Sequence, residues 1–274
     1  MKFWTSLKRK GESMTDKKIK LFIDIDGTFV FDSSAVASED LKAFRAASHY
    51  SQLIIATGRS LKEITYVEEV NDLSLDYKVA FNGGYIVDAK GQVLEDRQIS
   101  KERLKDLIQY LKNHGVTFDA LDNKERFGNF KQENQNELLG LNYDYMDNPY
   151  DEALKRTVYK INLRPDDLEQ ACQITKDLKA LFPDLSIFRV GKRRIEISAN
   201  HTSKGQALEQ LSKGSFSVAI GDSENDTSMF DAATISYCMA HAPEDVKAHA
   251  TYVVPRFRDA IYHLIEHFIK EKAV

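Results

Sequence analysis

Cysteine is nearly absent. Cys172 and Cys238 are the only two in 274 residues, too few for a disulfide framework and not spaced as a metal knuckle. Both are expected to be small buried hydrophobes of a reducing compartment. Long apolar runs are missing too, none approaching the roughly 18 residues that a membrane span needs. Charge of one sign is not in excess: 38 Lys and Arg against 42 Asp and Glu leave a net charge of -4. No general field therefore draws the chain to nucleic acid or to an anionic membrane. Internal repeats and low-complexity segments are absent as well. What is present is 42% hydrophobic and 29% charged, the balance of a globular chain rather than a disordered one. The length allows one large domain or two modest ones with real cores.

Residues 1–18 are basic and polar, with no apolar stretch of secretory-signal length. Residues 1–17 are expected to be a loose tail, and the location cytoplasmic. From residue 19, strand and helix alternate. Residues 19–25 and 52–56 read as buried strands. The helix between them should start at Ser38, with Ser38 as its cap and Glu39 and Asp40 in a first turn where acids suit the dipole. Ser60-Leu61-Lys62-Glu63 has the form of a capping box. Residues 77–81 give a third strand, ended by Asn82-Gly83-Gly84. This order predicts an α/β fold, a Rossmann-like doubly wound parallel sheet with ligands at the carboxyl ends of its strands.

The pattern changes at Tyr85. A hairpin over 85–95, a helix over 100–113 closed near Gly115, and strands over 116–121, 159–163, 186–189 and 194–198 read as an α+β insert with an antiparallel sheet. Residues 122–148 are polar and rich in Asn, with no element assigned. Strict alternation returns at Asn200 and ends in an amphipathic helix with Ile261, Leu264, Ile265 and Phe268 on one face. The expected organisation is a core of residues 18–84 and 200–274, interrupted by an insert of residues 85–199.

Four polar segments fall where core strands end: Asp24-x-Asp26-Gly27-Thr28, Thr57-Gly58-Arg59, Lys204-Gly205, and Gly221-Asp222-Ser223-Glu224-Asn225-Asp226. Carboxylates at the lip of a buried strand are costly unless a cation compensates them. Asp24 and Asp222, with Asp26 and Asp226 nearby, would repel strongly in a partly desolvated site. A hard divalent cation relieves this, and an all-oxygen set suits Mg²⁺. One Asp can then attack phosphorus, and a second can protonate the leaving oxygen and later deprotonate water. Lys204 is electrostatically awkward. With Thr202 or Ser203 as N-cap it opens a helix at the positive end of the dipole, a conflict that a bound anion would remove. Thr57 offers a hydroxyl and, with Gly58, backbone N–H groups at another helix start, a cradle for phosphate. Singly, each segment reads as a turn, a cap or a solvated Lys. All four in order, each behind an apolar strand, would need four coincidences.

In order and content the segments resemble those of the Cof-type haloacid dehalogenase-like hydrolases, from Ile19 to the final helix. The Asp24/Asp26 motif, Thr57-Gly58-Arg59, Asn82-Gly83-Gly84, Lys204-Gly205 and Gly221-Asp222-x-x-Asn225-Asp226-x-x-Met229 match that family's pattern, and the insert stands where the family carries an α/β cap. The resemblance implies Asp24 as nucleophile and Asp26 as acid and base. Asp24, the backbone carbonyl of Asp26, and Asp222 would hold Mg²⁺, with Asp226 in the metal shell or orienting Lys204. Thr57, Gly58 and Lys204 would bind the transferring phosphate and Asn225 the substrate. The implied activity is a phosphatase of small phosphorylated metabolites, sugar phosphates or phosphorylated cofactors, working as a monomer or homodimer. A phosphomutase and a non-catalytic phosphometabolite-binding regulator are the rivals. Two departures, Phe29 in place of the usual Leu and Arg256-Phe257-Arg258-Asp259-Ala260 before the last helix, touch no chemical group. His263-Leu264-Ile265-Glu266-His267 matches a metalloprotease string but reads as a solvated helix face. Arg189, Lys192, Arg193 and Arg194 read as a solvated basic turn.

Overall fold

The computed structural model describes residues 19–32, 34–131, 138–190 and 193–269. The expected tail, 1–17, and Lys192 lie outside them. The strands are β1 (Ile19–Ile23), β2 (Ser51–Ala56), β3 (Tyr77–Ala80), β4 (Tyr85–Asp88), β5 (Val93–Asp96), β6 (Phe118–Leu121), β7 (Glu125–Gly128), β8 (Asn142–Tyr145), β9 (Lys160–Leu163), β10 (Ser186–Val190), β11 (Arg194–Ser198), β12 (Ser217–Gly221), β13 (Ile235–Met239) and β14 (Tyr252–Val254). They form two sheets, in the orders β14-β13-β12-β1-β2-β3-β4-β5 and β10-β11-β9-β6-β7-β8.

In the first sheet, β14 to β3 run parallel and are buried between helices. Alternate residues of each strand therefore feed two cores. Leu21, Ile23, Leu53 and Ile55 pack with Phe44 and Phe257 from the helices Ser38–Ala47 and Phe257–Leu264. Phe22, Ile54 and Ala56 pack on the other side with Leu208 and Met229, from the helices Lys204–Ser212 and Thr227–Ala232. Phe29 is fully buried, with ring centroids 5.2 Å from Phe44 and 4.7 Å from Phe257. The chain proceeds from β1 to β2 on one side and reaches β12 on the other, so the strand order reverses beside β1. A crevice opens at such a point.

The hairpin β4–β5 continues the first sheet, antiparallel to β3. The insert therefore does not begin at residue 85 as expected: its sheet starts with β6, after the hairpin has closed the edge of the core. Residues 122–148, to which the sequence assigns no element, supply β7 and β8, and Tyr150–Lys155 is a short helix. Their strands are four residues long and carry few β-branched side chains, so periodicity had little to register. Ser38 lies inside its helix: the cap is Ala37, with no side-chain bond. Cys172 is exposed and Cys238 buried. The capping box at Ser60 and Glu63 forms as expected, as does the left-handed C-cap at Gly115 (φ 61°).

The second sheet has one apolar face. Phe118, Ala120, Phe127, Ile161, Leu163, Ile195 and Ile197 pack with Leu104, Leu107, Ile174 and Leu178 of the helices Lys101–His114 and Leu168–Leu181. The opposite face is polar. At its centre Asp119 is fully buried and receives Arg126 Nε at 2.7 Å, Asn162 Nδ2 at 2.6 Å, and Arg164 Nε and Nη2 at 3.1 and 3.0 Å.

Two consequences are measurable. Burial alone would raise the Asp119 pKa, but Arg126 and Arg164 outweigh it and bring it down from 3.8 to about 2. A depressed carboxyl stabilises the fold fully above the unfolded value and loses that contribution as pH falls toward the folded one. Asp119 should thus contribute on the order of 2 kcal/mol at pH 7, roughly half of it gone by pH 3. Urea melts should show the stability gap between wild type and Asp119→Asn narrowing over that range; a constant gap would disprove the linkage. The second concerns Gly205, where an added Cβ would stand 2.3 Å from the Ser228 backbone oxygen. Gly205→Ala should part the two helices and cost about 1–3 kcal/mol, read as a lowered melting midpoint.

Candidate active site

Register fixes which residues meet. Ile23 pairs with Ile220 of β12 on one side and with Ile55 of β2 on the other. Residues 24, 221 and 56 therefore leave the sheet at one level. Asp24 N–H donates to Ile220 O at 2.9 Å, which carries the ladder one step past the strand. The turn after Ile25 is closed by Gly27 N–H on Val30 O at 2.9 Å. Gly27 has φ +82°, and a Cβ there would lie 2.4 Å from Asp222 Oδ2. Only glycine lets this turn press against the Asp222 loop. Thr28 Oγ1 donates to Asp222 Oδ1 at 3.3 Å across the junction.

Lys204 ties the corner together. Ser203 caps its helix by accepting from Gln206 N–H at 3.1 Å. The conflict between an ammonium and the positive helix end is resolved by carboxylates of the chain itself. Lys204 is 0% exposed, and its Nζ donates to Asp24 Oδ1 and to Asp226 Oδ1, both at 2.6 Å. The other oxygen of Asp226 accepts the N–H groups of Asp222 and Ser223, each at 2.9 Å. Asp226 thus orients Lys204 and shapes the Asp222 loop in one stroke. Burial works to lower the Lys204 pKa, but Asp226 and Asp24 outweigh it and hold the ammonium charged. Burial pushes the Asp24 carboxyl well up, against the pull of Lys204. Asp222 is raised by burial and by Asp226, with His241 opposing from 3.2 Å.

One oxygen each from Asp24, Asp222 and Asp226 lies within 4.8 Å of the others. Three carboxylates face a single ammonium, so the corner carries excess negative charge in a buried place. Hard oxygen donors with uncompensated charge fit a divalent cation of the Mg²⁺ kind.

Asp26 takes a different course. Its side chain is 62% exposed and turns away from that group onto Arg59, whose Nε and Nη2 donate to it at 2.9 and 2.5 Å. Desolvation would raise its pKa, but the Arg59 bonds and charge hold the carboxyl below its usual range. Thr57 and Gly58 precede the helix Leu61–Val70, whose cap is Ser60. They lie in the turn ahead of it rather than at its start. That turn is knitted to the end of β3: Asn82 N–H donates to Thr57 O and Phe81 N–H to Arg59 O, both at 2.9 Å. Phe81 and Asn82 have φ of 50° and 56°, strained conformations of the kind that gather at functional sites. Asn82 Oδ1 accepts Asn225 Nδ2 at 3.0 Å. The Asn82-Gly83 pair is therefore more than a turn.

These groups border a cavity of about 540 Å³, which Asp24, Asp26, Thr57, Gly58, Arg59 and Asn225 line from the core. Its opposite wall is the polar face of the second sheet, with Arg126, Lys160, Asn162, Arg164, Arg194 and Glu196. Lys160 Nζ, nearly fully buried, donates to Gly58 O and lies 3.4 Å from Glu196 Oε1. Asp24, Lys204, Asp222 and Asp226 thus meet as expected, with Thr57, Gly58 and Asn225 on the wall beside them. The Asp26 carboxylate does not join the acidic group. Sequence reasoning missed the second wall, although Lys160-x-Asn162-x-Arg164 and Arg194-x-Glu196-x-Ser198 alternate with apolar residues at the period of a strand. His263 instead meets the Tyr237 hydroxyl at 3.0 Å, with its ring tilted against that of His267 at 4.5 Å, neither belonging to the acidic group.

A model of the haloacid dehalogenase-like hydrolases matches residues 21–265. Phosphatase YwpJ of Bacillus subtilis is 23% identical, the alignment covering 90% of this chain and 98% of YwpJ. The 5-amino-6-(5-phospho-D-ribitylamino)uracil phosphatase YcsE of the same organism is 26% identical, over 93% of this chain and 97% of its own. Among solved structures, a haloacid dehalogenase-like hydrolase from B. subtilis superposes with a TM-score of 0.80 at 22% identity, covering 91% of this chain and 99% of the other. The subclass IIB sugar phosphatase BT4131 gives 0.76 at 24% identity, covering 92% and 99%. With the motifs, the register and the acid corner in agreement, this chain belongs to the haloacid dehalogenase-like hydrolases, in their Cof-type branch, as a phosphoric monoester hydrolase.

Proposed function

We propose that the enzyme is a Mg²⁺-dependent phosphatase of small phosphorylated metabolites, sugar phosphates or phosphorylated cofactors, working through an aspartyl phosphate on Asp24. The observation that carries this reading is the Lys204 ammonium held between Asp24 and Asp226 at 2.6 Å each. It keeps one oxygen of Asp24 fixed and leaves the other to attack phosphorus. Lys204, fully buried behind Asp24, would offer its remaining N–H to a phosphoryl oxygen, with the Thr57 hydroxyl and the Gly58 backbone on the cavity wall. Asp24, Asp222 and the main-chain carbonyl of Asp26, with Asp226 behind them, would hold Mg²⁺, which when bound would neutralise charge on the phosphoryl oxygens. Asn225 holds the substrate from the wall.

Asp26 acts twice, and Arg59 sets the conditions. Paired with Arg59, its carboxylate is ionised, the form needed to take a proton from the water that attacks the aspartyl phosphate. To protonate the leaving oxygen it must first lose Arg59, so guanidinium movement accompanies the first half-reaction. The second sheet serves as a cap that excludes water and selects the leaving group. A cytoplasmic setting and a monomer or homodimer complete the reading. YcsE, YwtE and YbjI, named for a phosphoribitylamino-uracil substrate, and the sugar phosphatase BT4131 support a small phosphorylated metabolite.

Asp24→Asn should lower kcat at least ~10³-fold with the fold retained, since it removes the attacking group. Chelation should abolish phosphate release, and Mg²⁺ should restore it. Full turnover by the variant, or in excess chelator, would eliminate the mechanism.

A further inference from the structure

The second wall of the cavity carries more positive charge than its own acids neutralise. Its residues alternate cleanly: Ile161, Leu163, Ile195 and Ile197 enter the apolar core, while Lys160, Asn162, Arg194 and Glu196 line the cavity. Register places Asn162 opposite Asp119 on one side and Glu196 on the other. A cap whose task was only to exclude water would present apolar side chains here. This one buries polar groups, which is costly unless they are used.

Among the described residues, Arg126, Lys160, Arg164 and Arg194 stand on this face against Asp119 and Glu196, an excess of two positive charges. Both oxygens of Asp119 are spent on Arg126, Arg164 and Asn162. Glu196 is shared between Lys160 at 3.4 Å and Arg194 at 3.2 Å. On this polar face, among the described residues, two buried atoms lack a hydrogen-bond partner, Asn162 Oδ1 and Arg194 Nε; the second is a donor, and an anion would satisfy it. The acidic corner, by contrast, lies on the other wall with Lys204 behind it.

We propose that this face binds a second anionic group of the substrate, distal to the phosphoryl group that is transferred. The proposal rests on the phosphatase reading and narrows it to esters that carry a carboxylate or a second phosphate. On this wall a neutral sugar would leave the cations outnumbering the acids, while the carboxylates Asp24, Asp26 and Glu63 line the same cavity from the core. Guanidinium groups, with their planar forks, are suited to both anions. The transferred phosphate and the second anion would thus face opposite walls.

The test compares kcat/KM of the Mg²⁺-supplied full-length enzyme for glucose 6-phosphate, gluconate 6-phosphate, fructose 1,6-bisphosphate and p-nitrophenyl phosphate. At least one doubly anionic ester should be favoured over glucose 6-phosphate by about tenfold or more. Preference for gluconate 6-phosphate identifies a carboxylate, preference for the bisphosphate a second phosphate, and preference for both the shared anionic chemistry. Arg194→Gln, whose native side chain is 40% exposed and tolerates replacement, should collapse that ratio toward one; Arg164→Gln gives an independent second reading. Glucose 6-phosphate hydrolysed as well as both anionic esters would overturn the proposal and leave the phosphatase reading standing. So would a preference that both variants retain. Release from none of the four esters, nor from a panel of phosphorylated cofactors, would instead remove the phosphatase reading, and this proposal with it.

Discussion

A fully buried ammonium between two carboxylates is the constraint around which the first sheet is arranged. Lys204 must begin its helix where that helix abuts the one starting at Thr227, and Gly205 permits the approach. Asp226 must then face Lys204 with one oxygen while its other oxygen gathers two backbone N–H groups. Such an arrangement is poor evidence of stability, because desolvating ions costs as much as their attraction returns. Removing Lys204 would leave the buried carboxylates of Asp24 and Asp226 without their cation, a loss on the order of 3–5 kcal/mol. Retention of so costly a set at the reversal of strand order is intelligible as chemistry. It is hard to account for as packing.

The second sheet extends the same logic to the other wall. Its apolar face closes its own core, and its polar face is spent on the cleft. The two units touch through specific contacts: Lys160 on the Gly58 carbonyl, Tyr159 stacked on Phe81 at 5.1 Å, and the Tyr159 hydroxyl on Asp96 at 2.9 Å. Phe81 and Asn82, in their left-handed conformations, lie at this junction. The strained turn after β3 therefore touches both the second sheet, through Phe81 on Tyr159, and the loop that carries Thr57 and Arg59, through its two N–H groups.

Much of this was legible in the residues. The core strands are apolar runs ended by Asp, Thr or Gly, and buried parallel strands leave that trace because both faces need side chains of one kind. Asp24, Asp222 and Lys204 stood out because charge at such places conflicts with burial or with the helix dipole. The boundary of the insert was misplaced because a hairpin extending a parallel sheet looks the same in sequence as one opening a new domain; only pairing with β3 distinguishes them. The Asp26 carboxylate was expected near those of Asp24 and Asp222, with its main-chain carbonyl toward the metal, but carboxylates two residues apart on a turn diverge, and Arg59 holds the second. The cationic wall escaped notice because its members are scattered from Arg126 to Arg194 and converge only through register. Arg194 had been read as part of a solvated turn, whereas it lies in β11 beside Glu196.

The central claim is that acids from opposite ends of the chain share one divalent cation beside Lys204. Anomalous diffraction from crystals of the full chain soaked in Mn²⁺ tests this most directly. A single strong peak bonded to the carboxylates of Asp24 and Asp222 is the result required. Occupancy confined to other carboxylates, with that corner lacking a peak in an enzyme that Mn²⁺ activates, would contradict it.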